Sequence, residues 1–405
     1  WEACRAVLCD FDPTMTITES VEAILAELTV THGHNEVVRS VTGRRTVSYA
    51  TETPPPVSAL PKDSVVLVTG GGRGVSARIA QEIASRGPVS LALVGRGPAA
   101  DTATFDESVE KARIKEEIKA TGERATPVKI EAGLNPLRKA AEIRANIDAM
   151  TAAGAEVQYF RCDLADADAV TDLVEHVTKE MGAIDVAIHG AGVEVSRPLT
   201  EKTVADFHFV FDGKAIGGLA LINAIPDDAT FISMGSVAGR FGNPGQVDYA
   251  AANDALAHAC HARPNSLAID WTAWDDVGMA VRGGMKNLLT SRGVELLPAD
   301  AGADLAVNLI AAGITGELVV SGGLGDFNPK PDHPLLDTLE YDQDTVITTH
   351  MFSVKNDPWV VDHAIDGTPV LGVKPYVPYC DAFPDSSAGW VDEVSAEPTE
   401  SDKRG

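Results

Sequence analysis

Ser236 leads Tyr249 by thirteen positions, and Asn253 follows Tyr249 by four, one turn of helix. Two hydroxyls and an amide at this spacing can converge on one small volume. Hydride delivered to a carbonyl carbon leaves charge on the oxygen, which needs a proton donor and a second hydrogen bond. Tyr249 suits the donor and Ser236 the orienting hydroxyl. A free phenol ionises near pH ~10, so a cation should help it release its proton. Lys214, in Asp212-Gly-Lys-Ala-Ile216, is the candidate, and Asn253 would complete the relay. Taken singly, a buried tyrosine is core and a lysine is surface; it is the set in this order that points to carbonyl reduction.

Such a reduction needs a hydride source, and the sequence offers a place for one. The apolar run Ser64-Val-Val-Leu-Val68 leads into Thr69-Gly-Gly-Gly-Arg-Gly74 and then a helical stretch from Ser76 to Arg86. A chain turning at once from buried strand to helix aims its first N–H groups at a pyrophosphate, and glycine permits the backbone angles and close approach. Gly70, Gly71, Gly72 and Gly74 supply them. The dehydrogenase pattern T-G-x-x-x-G-x-G is matched at Thr69, Gly70 and Gly74, with Ser76 at its last glycine. The next strand ends Val94-Gly-Arg96, without an acid for a ribose 2′-hydroxyl. Arg96 would pair with a 2′-phosphate and Arg73 could assist, which favours NADPH over NADH. Asp163-Leu164 is placed either to meet the adenine or to cap a helix. Gly190, Ala191 and Gly192, in His189-Gly-Ala-Gly192, form a second close-approach turn.

The elements that must position these residues alternate. Strands near 64–68, 89–94, 157–160 and 184–188 are separated by helical stretches at 76–86 and 167–181. This argues an α/β, Rossmann-type doubly wound parallel sheet. Asp101 to Gly154 interrupts the pattern as a helical insertion longer than a normal connection. Ahead of the sheet, 6–10 reads as a strand, 18–29 as an amphipathic helix and 36–49 as a hairpin. Thr51 to Pro61, with four prolines, reads as a linker.

Composition narrows the partners. With 33 basic and 59 acidic residues the net charge is −26, which repels nucleic acid and anionic membrane. No apolar run reaches the ~18 residues of a membrane span, and no signal pattern opens the chain. The five cysteines include no C-x-x-C pair and no zinc-like cluster, so no metal is expected and a reducing, cytoplasmic setting fits. The chain starts at Trp1 with a strand close behind, as expected of a segment from a longer polypeptide.

Thr69 to Gly74, His189 to Gly192, Lys214, Ser236, Tyr249 and Asn253 together resemble the ketoreductase domain of a type I polyketide or fatty acid synthase, within the short-chain dehydrogenases. Ordinary members of that superfamily carry the lysine four residues after the tyrosine and the asparagine upstream. Here Lys214 and Asn253 are exchanged, as in the synthase enzymes. The segment Ala268 to Met279 is similar to the family's strand and substrate lid. The glycine-rich turn and the insertion resemble the iterative enzymes of polyunsaturated fatty acid and enediyne synthesis.

The resemblance implies a partial structural subdomain at 1–55 and a catalytic, NADPH-binding subdomain at 62–328. It further implies an acyl carrier protein with a phosphopantetheine-bound substrate, and other synthase domains, as partners. Segments 214–229 and 256–264 look shorter than the family's helices. Residues 345–380 resemble the start of a hot-dog dehydratase, with His363 and Gly367 in place but Gly372 where proline is expected. The polar, acidic stretch 384–405 reads as a disordered tail. Two other readings stay open, a free-standing alcohol dehydrogenase and a non-catalytic scaffold in a megasynthase. Neither the Leu-Asp-Asp sequence after Gly192 nor a tryptophan at Phe241, the two markers of hydroxyl configuration, is present.

Overall fold

The computed structural model describes residues 7–30, 36–47, 49–102, 104–278, 285–324, 338–342 and 345–349. The dehydratase-like motif at His363, Gly367 and Gly372, and the tail at 384–405, lie outside these residues. Two compact units are present, one of 1–50 with 330–405 and one of 51–329.

In the first unit, β1 (Leu8–Phe11) pairs parallel with β2 (Glu36–Ser40), which pairs antiparallel with β3 (Gly43–Thr46). Between β1 and β2 runs α1 (Ile17–Thr29), opened by a capping box between Thr16 and Glu19. Near its end the Glu27 carboxylate takes hydrogen bonds from Arg39 Nε and Arg44 Nε, both 2.8 Å, and is held below the usual carboxylate range, first by the Arg44 bond.

The second unit is built on seven parallel strands. They are β4 (Val65–Thr69), β5 (Ser90–Gly95), β6 (Glu156–Arg161), β7 (Val186–His189), β8 (Thr230–Ser236), β9 (Ser266–Trp271) and β10 (Gly316–Val320). Their spatial order is β10-β9-β8-β7-β4-β5-β6, so the chain reverses direction across the sheet between β4 and β7. The fold is α/β and Rossmann-like, and ligands of such sheets bind beyond the carboxyl ends of the strands at this switch point. Strands β4 and β9 are buried at every position, as continuous apolar runs require when helices cover both faces.

The helices are α2 (Gly74–Arg86), α3 (Glu107–Ala120), α4 (Pro127–Ala152), α5 (Ala167–Met181), α6 (Val204–Phe211), α7 (Gly217–Ala224), α8 (Val237–Phe241), α9 (Val247–Ala262), α10 (Met285–Ser291) and α11 (Ala299–Ala311). One turn of π-helix, Asp212–Ile216, joins α6 to α7. On one side of the sheet Ile79, Ile83, Leu93 and Val307 pack together; on the other, Leu67, Val174, Leu221 and Phe231.

The insertion resolves into two parts. Ile114 of α3 meets Ile130 and Leu134 in a small core of its own, while the second half of α4 sends Ile143, Ile147 and Met150 into the sheet core. The proline-rich stretch is pinned rather than free, because Ser58 N donates to Asn308 Oδ1 at 3.1 Å and Arg86 Nη1 to Ser58 O at 2.6 Å. Outside both units' larger sheets, β11 (Thr338–Asp342) and β12 (Thr345–Thr349) form an antiparallel pair. No helix among the described residues is long and apolar enough to cross a membrane.

Candidate active site

Ser236 ends β8, Tyr249 lies in the first turn of α9, and Asn253 follows one turn on. The serine and asparagine side chains lie near enough to the Tyr249 phenol to favour its ionised form. Asn253 Nδ2 also donates to the backbone carbonyl of Tyr249 at 2.7 Å. Its Oδ1 is buried with no hydrogen-bond partner among the described residues, so one acceptor on this side chain is left over. Burial pushes the phenol up to about 12, against the opposite pull of Ser236 and Asn253. The sequence suggested a neighbouring cation that would ease ionisation; in the protein alone, desolvation of the phenolate prevails.

Lys214 sits in the π-helical turn, buried, with Nζ donating to the Met234 carbonyl at 2.9 Å. Burial lowers its ammonium to about 8. A π turn inserts one residue into the helix and often marks a functional site. Here it turns Lys214 toward β8 and Gly192, whose added Cβ would lie 3.5 Å from the Lys214 Cδ.

His189 holds this turn in place. It is fully buried and burial drops its pKa to about 3, so it is neutral. Its Nε2 lies 3.0 Å from the Lys214 carbonyl, which can only accept, so Nε2 carries the proton. Nδ1 then accepts from Thr69 Oγ1 at 2.9 Å, and Thr69 Oγ1 in turn accepts from Ala191 N at 3.2 Å. Thr69, Ala191, His189 and Lys214 thus form one chain across the β4–β7 switch. His189 stood in the sequence only as part of a turn; its role needed the neighbouring strand to be seen.

The glycine-rich turn has the geometry of a phosphate cradle. Gly70 and Gly74 have φ of +71° and +63°, the region that favours glycine. A side chain at Gly70 would stand 3.0 Å from Ala191 N, and one at Gly190 would strike the Ser76 hydroxyl. At Gly71 an added Cβ would lie 2.8 Å from Val68, and at Gly72 3.0 Å from Ile143. The first turn of α2 has no side-chain cap, which leaves its N–H groups for an anion. These features fit a dinucleotide pyrophosphate.

Arg96, just past β5, is exposed, with its guanidinium 5.7 Å from the Phe209 ring centre. Arg161, which the sequence reading passed over, lies beside it and donates from Nε to the Arg96 carbonyl at 3.2 Å. Arg73 is engaged elsewhere, donating from Nε to Glu142 of the insertion at 2.8 Å. Asp163 accepts from Ala165 N at 3.3 Å, while the cap of α5 is Asp166. Leu164 is buried against Gly217 as core.

A cavity of about 400 Å³ opens at the carboxyl ends of the strands, lined by Ser76, Gly190, Gly192, Lys214, Ser236 and Tyr249 among others. Trp271 and Trp274 close another side, edge to face at 5.1 Å. Behind Ser236, Asp270 Oδ1 accepts from Ser236 N at 3.1 Å, and burial together with the Glu317 carboxylate holds Asp270 well above the usual carboxylate range. No cluster of three metal-ligating side chains occurs among the described residues.

Residues 64–276 match the KR domain family. Over 336 residues the chain is 27% identical to a polyunsaturated fatty acid synthase polypeptide of Thraustochytrium, covering 78% of this chain and 12% of that protein. It is 29% identical to polyketide synthase GfsA of Streptomyces halstedii over 63% of this chain and 3% of the relative. The chain therefore spans a small part of the curated relatives it matches. Among solved structures, an N-terminal ketoreductase from the macrolactin assembly line superposes with a TM-score of 0.57 at 21% identity, over 80% of this chain and 57% of that one. A ketoreductase domain from the bacillaene assembly line gives 0.56 at 23%, over 80% and 71%. With the family match covering more than half of its length, this chain belongs to the ketoreductase, or KR, domain family.

Proposed function

We propose that the chain reduces a 3-ketoacyl thioester, carried on the phosphopantetheine arm of an acyl carrier protein, to the 3-hydroxyacyl thioester with NADPH. The observation that carries this reading is that Lys214, Ser236 and Tyr249 line one cavity, with Lys214 and Asn253 buried beneath it. Bound there, NADPH would supply the hydride that turns the ketone into an alkoxide, leaving as NADP⁺. Tyr249 gives that oxygen its proton, and the Ser236 hydroxyl donates the second hydrogen bond. The Lys214 ammonium, which lines the same cavity, favours the transient phenolate, and the open acceptor on Asn253 lets a proton return. Gly70 to Gly74 would hold the pyrophosphate, with Arg96 on the 2′-phosphate and Asp163 toward the adenine.

The relatives that share this domain are named as synthases, which supports a partnership with a carrier protein and other synthase domains. In this reading 62–328 is the catalytic subdomain and 1–55 part of a structural one. The free thiols of Cys9, Cys162 and Cys260 agree with a reducing, cytoplasmic setting. The test is NADPH consumption with a 3-ketobutyryl thioester of a pantetheine analogue. Turnover that Tyr249→Phe removes is expected, and folded, NADPH-binding protein that leaves the thioester untouched would overturn the reading. Faster turnover of carrier-bound ketone than of free ketones separates it from a free-standing alcohol dehydrogenase.

A further inference from the structure

Lys202 and Asp248 belong to no motif, yet their side chains form an ion pair sealed from solvent, exposed by 2% and 0%. Lys202 Nζ donates to both carboxylate oxygens and to the Val195 carbonyl, each at 2.7 Å. Three acceptors satisfy the three protons of the ammonium. Lys202 ends the loop between β7 and α6, and Glu194 and Ser196 of that same loop line the cavity. Asp248 immediately precedes Tyr249, and its Oδ1 also accepts from Tyr249 N at 2.9 Å. Two further ties run alongside, Arg197 N to Gly245 O at 3.0 Å and Gln246 Nε2 to Glu194 Oε1 at 2.7 Å.

A buried ion pair is a poor device for stability alone, because an apolar pair of like volume serves as well or better. What it adds is fixed direction and distance between two segments. Here those segments are one wall of the cavity and the helical turn that carries the phenol. We propose that Lys202 and Asp248 are positioning residues, a buried clamp that sets where the Tyr249 hydroxyl stands relative to a ketone held against the 190–203 loop. The proposal rests on Tyr249 as proton donor.

The test compares the full chain with K202M/D248L, which leaves no unpaired buried charge and so should fold where K202M alone does not. Expected are an NADPH Kd within about twofold of the parent and a kcat lowered at least about tenfold, since small misplacements of a reacting group cost rate rather than cofactor affinity. A folded double variant with parental kcat overturns the proposal. Should that variant not fold, K202R takes its place, with kcat lowered at unchanged NADPH affinity expected and parental kcat again overturning. If the parent itself has no turnover, the ketoreductase reading fails separately. The clamp is then read by amide hydrogen exchange, where faster exchange at 193–203 and 246–250 with β8 unchanged supports it and unchanged exchange overturns it.

Discussion

The two ends of the proposed cofactor site are built on opposite plans. At the chemical end, Lys214 and Asn253 are buried, Ser236 and Tyr249 line the cavity, and the titrating groups are displaced by desolvation, Tyr249 up to about 12 and Lys214 down to about 8. At the phosphate end, Arg96 and Arg161 are exposed, and Arg73 is tied to a glutamate of the insertion. Buried groups gain leverage because each charge there is poorly solvated, so small displacements change rates. Exposed cations act through solvent and are screened, so they change affinity by modest factors. Substitutions at the two ends should therefore fail differently, one in kcat and the other in cofactor binding.

The largest effect belongs to the chemical end. Tyr249→Phe removes the proton donor while keeping the ring, and kcat is expected to fall by about 10³-fold, with NADPH affinity nearly unchanged by fluorescence titration. A loss of affinity equal to the loss of rate would erase the distinction between the ends. Arg96→Ala comes next. Losing a charge-assisted contact to the 2′-phosphate should weaken NADPH by about 10- to 100-fold and leave NADH binding where it was. Equal weakening of both cofactors would move the 2′-phosphate away from Arg96, with Arg161 the next residue to test.

The contrast also governs what the sequence could disclose. The glycine-rich turn and the Ser236, Tyr249, Asn253 spacing are local: a strand, a turn and one helix fix them, so periodicity and residue type reveal them. The alternation of strands and helices likewise indicated a doubly wound sheet. What stayed hidden depends on contacts between distant segments. The π turn at 212–216 changes the direction of Lys214 by inserting one residue, which no 3.6-residue periodicity registers. The Thr69–His189 bond joins strands 120 positions apart. Lys202 and Asp248 belong to no motif and meet only where α9 packs beside the loop. Arg73, conversely, looked available in sequence because Glu142 lies in an insertion whose docking could not be read.

The pH profile probes the buried end with a smaller effect. The Lys214 ammonium is lowered from its ordinary value to about 8 by burial. The charged form supports the phenolate, so the rate of reduction should decline as pH rises through about 8, by up to about tenfold per unit beyond it. A profile flat to pH ~10, the ordinary lysine value, would remove the lysine from the chemistry. Stability carries the opposite sign for this group. Between about 8 and its unfolded value the unfolded chain holds a proton that the folded one has lost, so Lys214 makes stability rise with pH there. Asp270, raised by burial, acts the other way; its contribution is present at low pH and lost as pH rises through its folded value. Denaturant unfolding of Asp270→Asn should lose that decline.

Arg73→Ala should do least. The guanidinium is held by Glu142 in a partly exposed pair, 27% and 47% exposed, of a kind that contributes little on its own. To reach a 2′-phosphate it must leave that carboxylate, so the gain of one contact is offset by the loss of another. A change in NADPH affinity below about threefold follows, which is under ~0.7 kcal/mol. Glu142→Gln supplies the complementary measurement, because it frees the arginine without removing it. If Arg73 has a latent role at the phosphate end, Glu142→Gln should tighten NADPH more than NADH. If both cofactors bind as before in both variants, Arg73 serves only to join the insertion to the glycine-rich turn, beside the bond from Asn146 Nδ2 to Gly72 O at 2.9 Å.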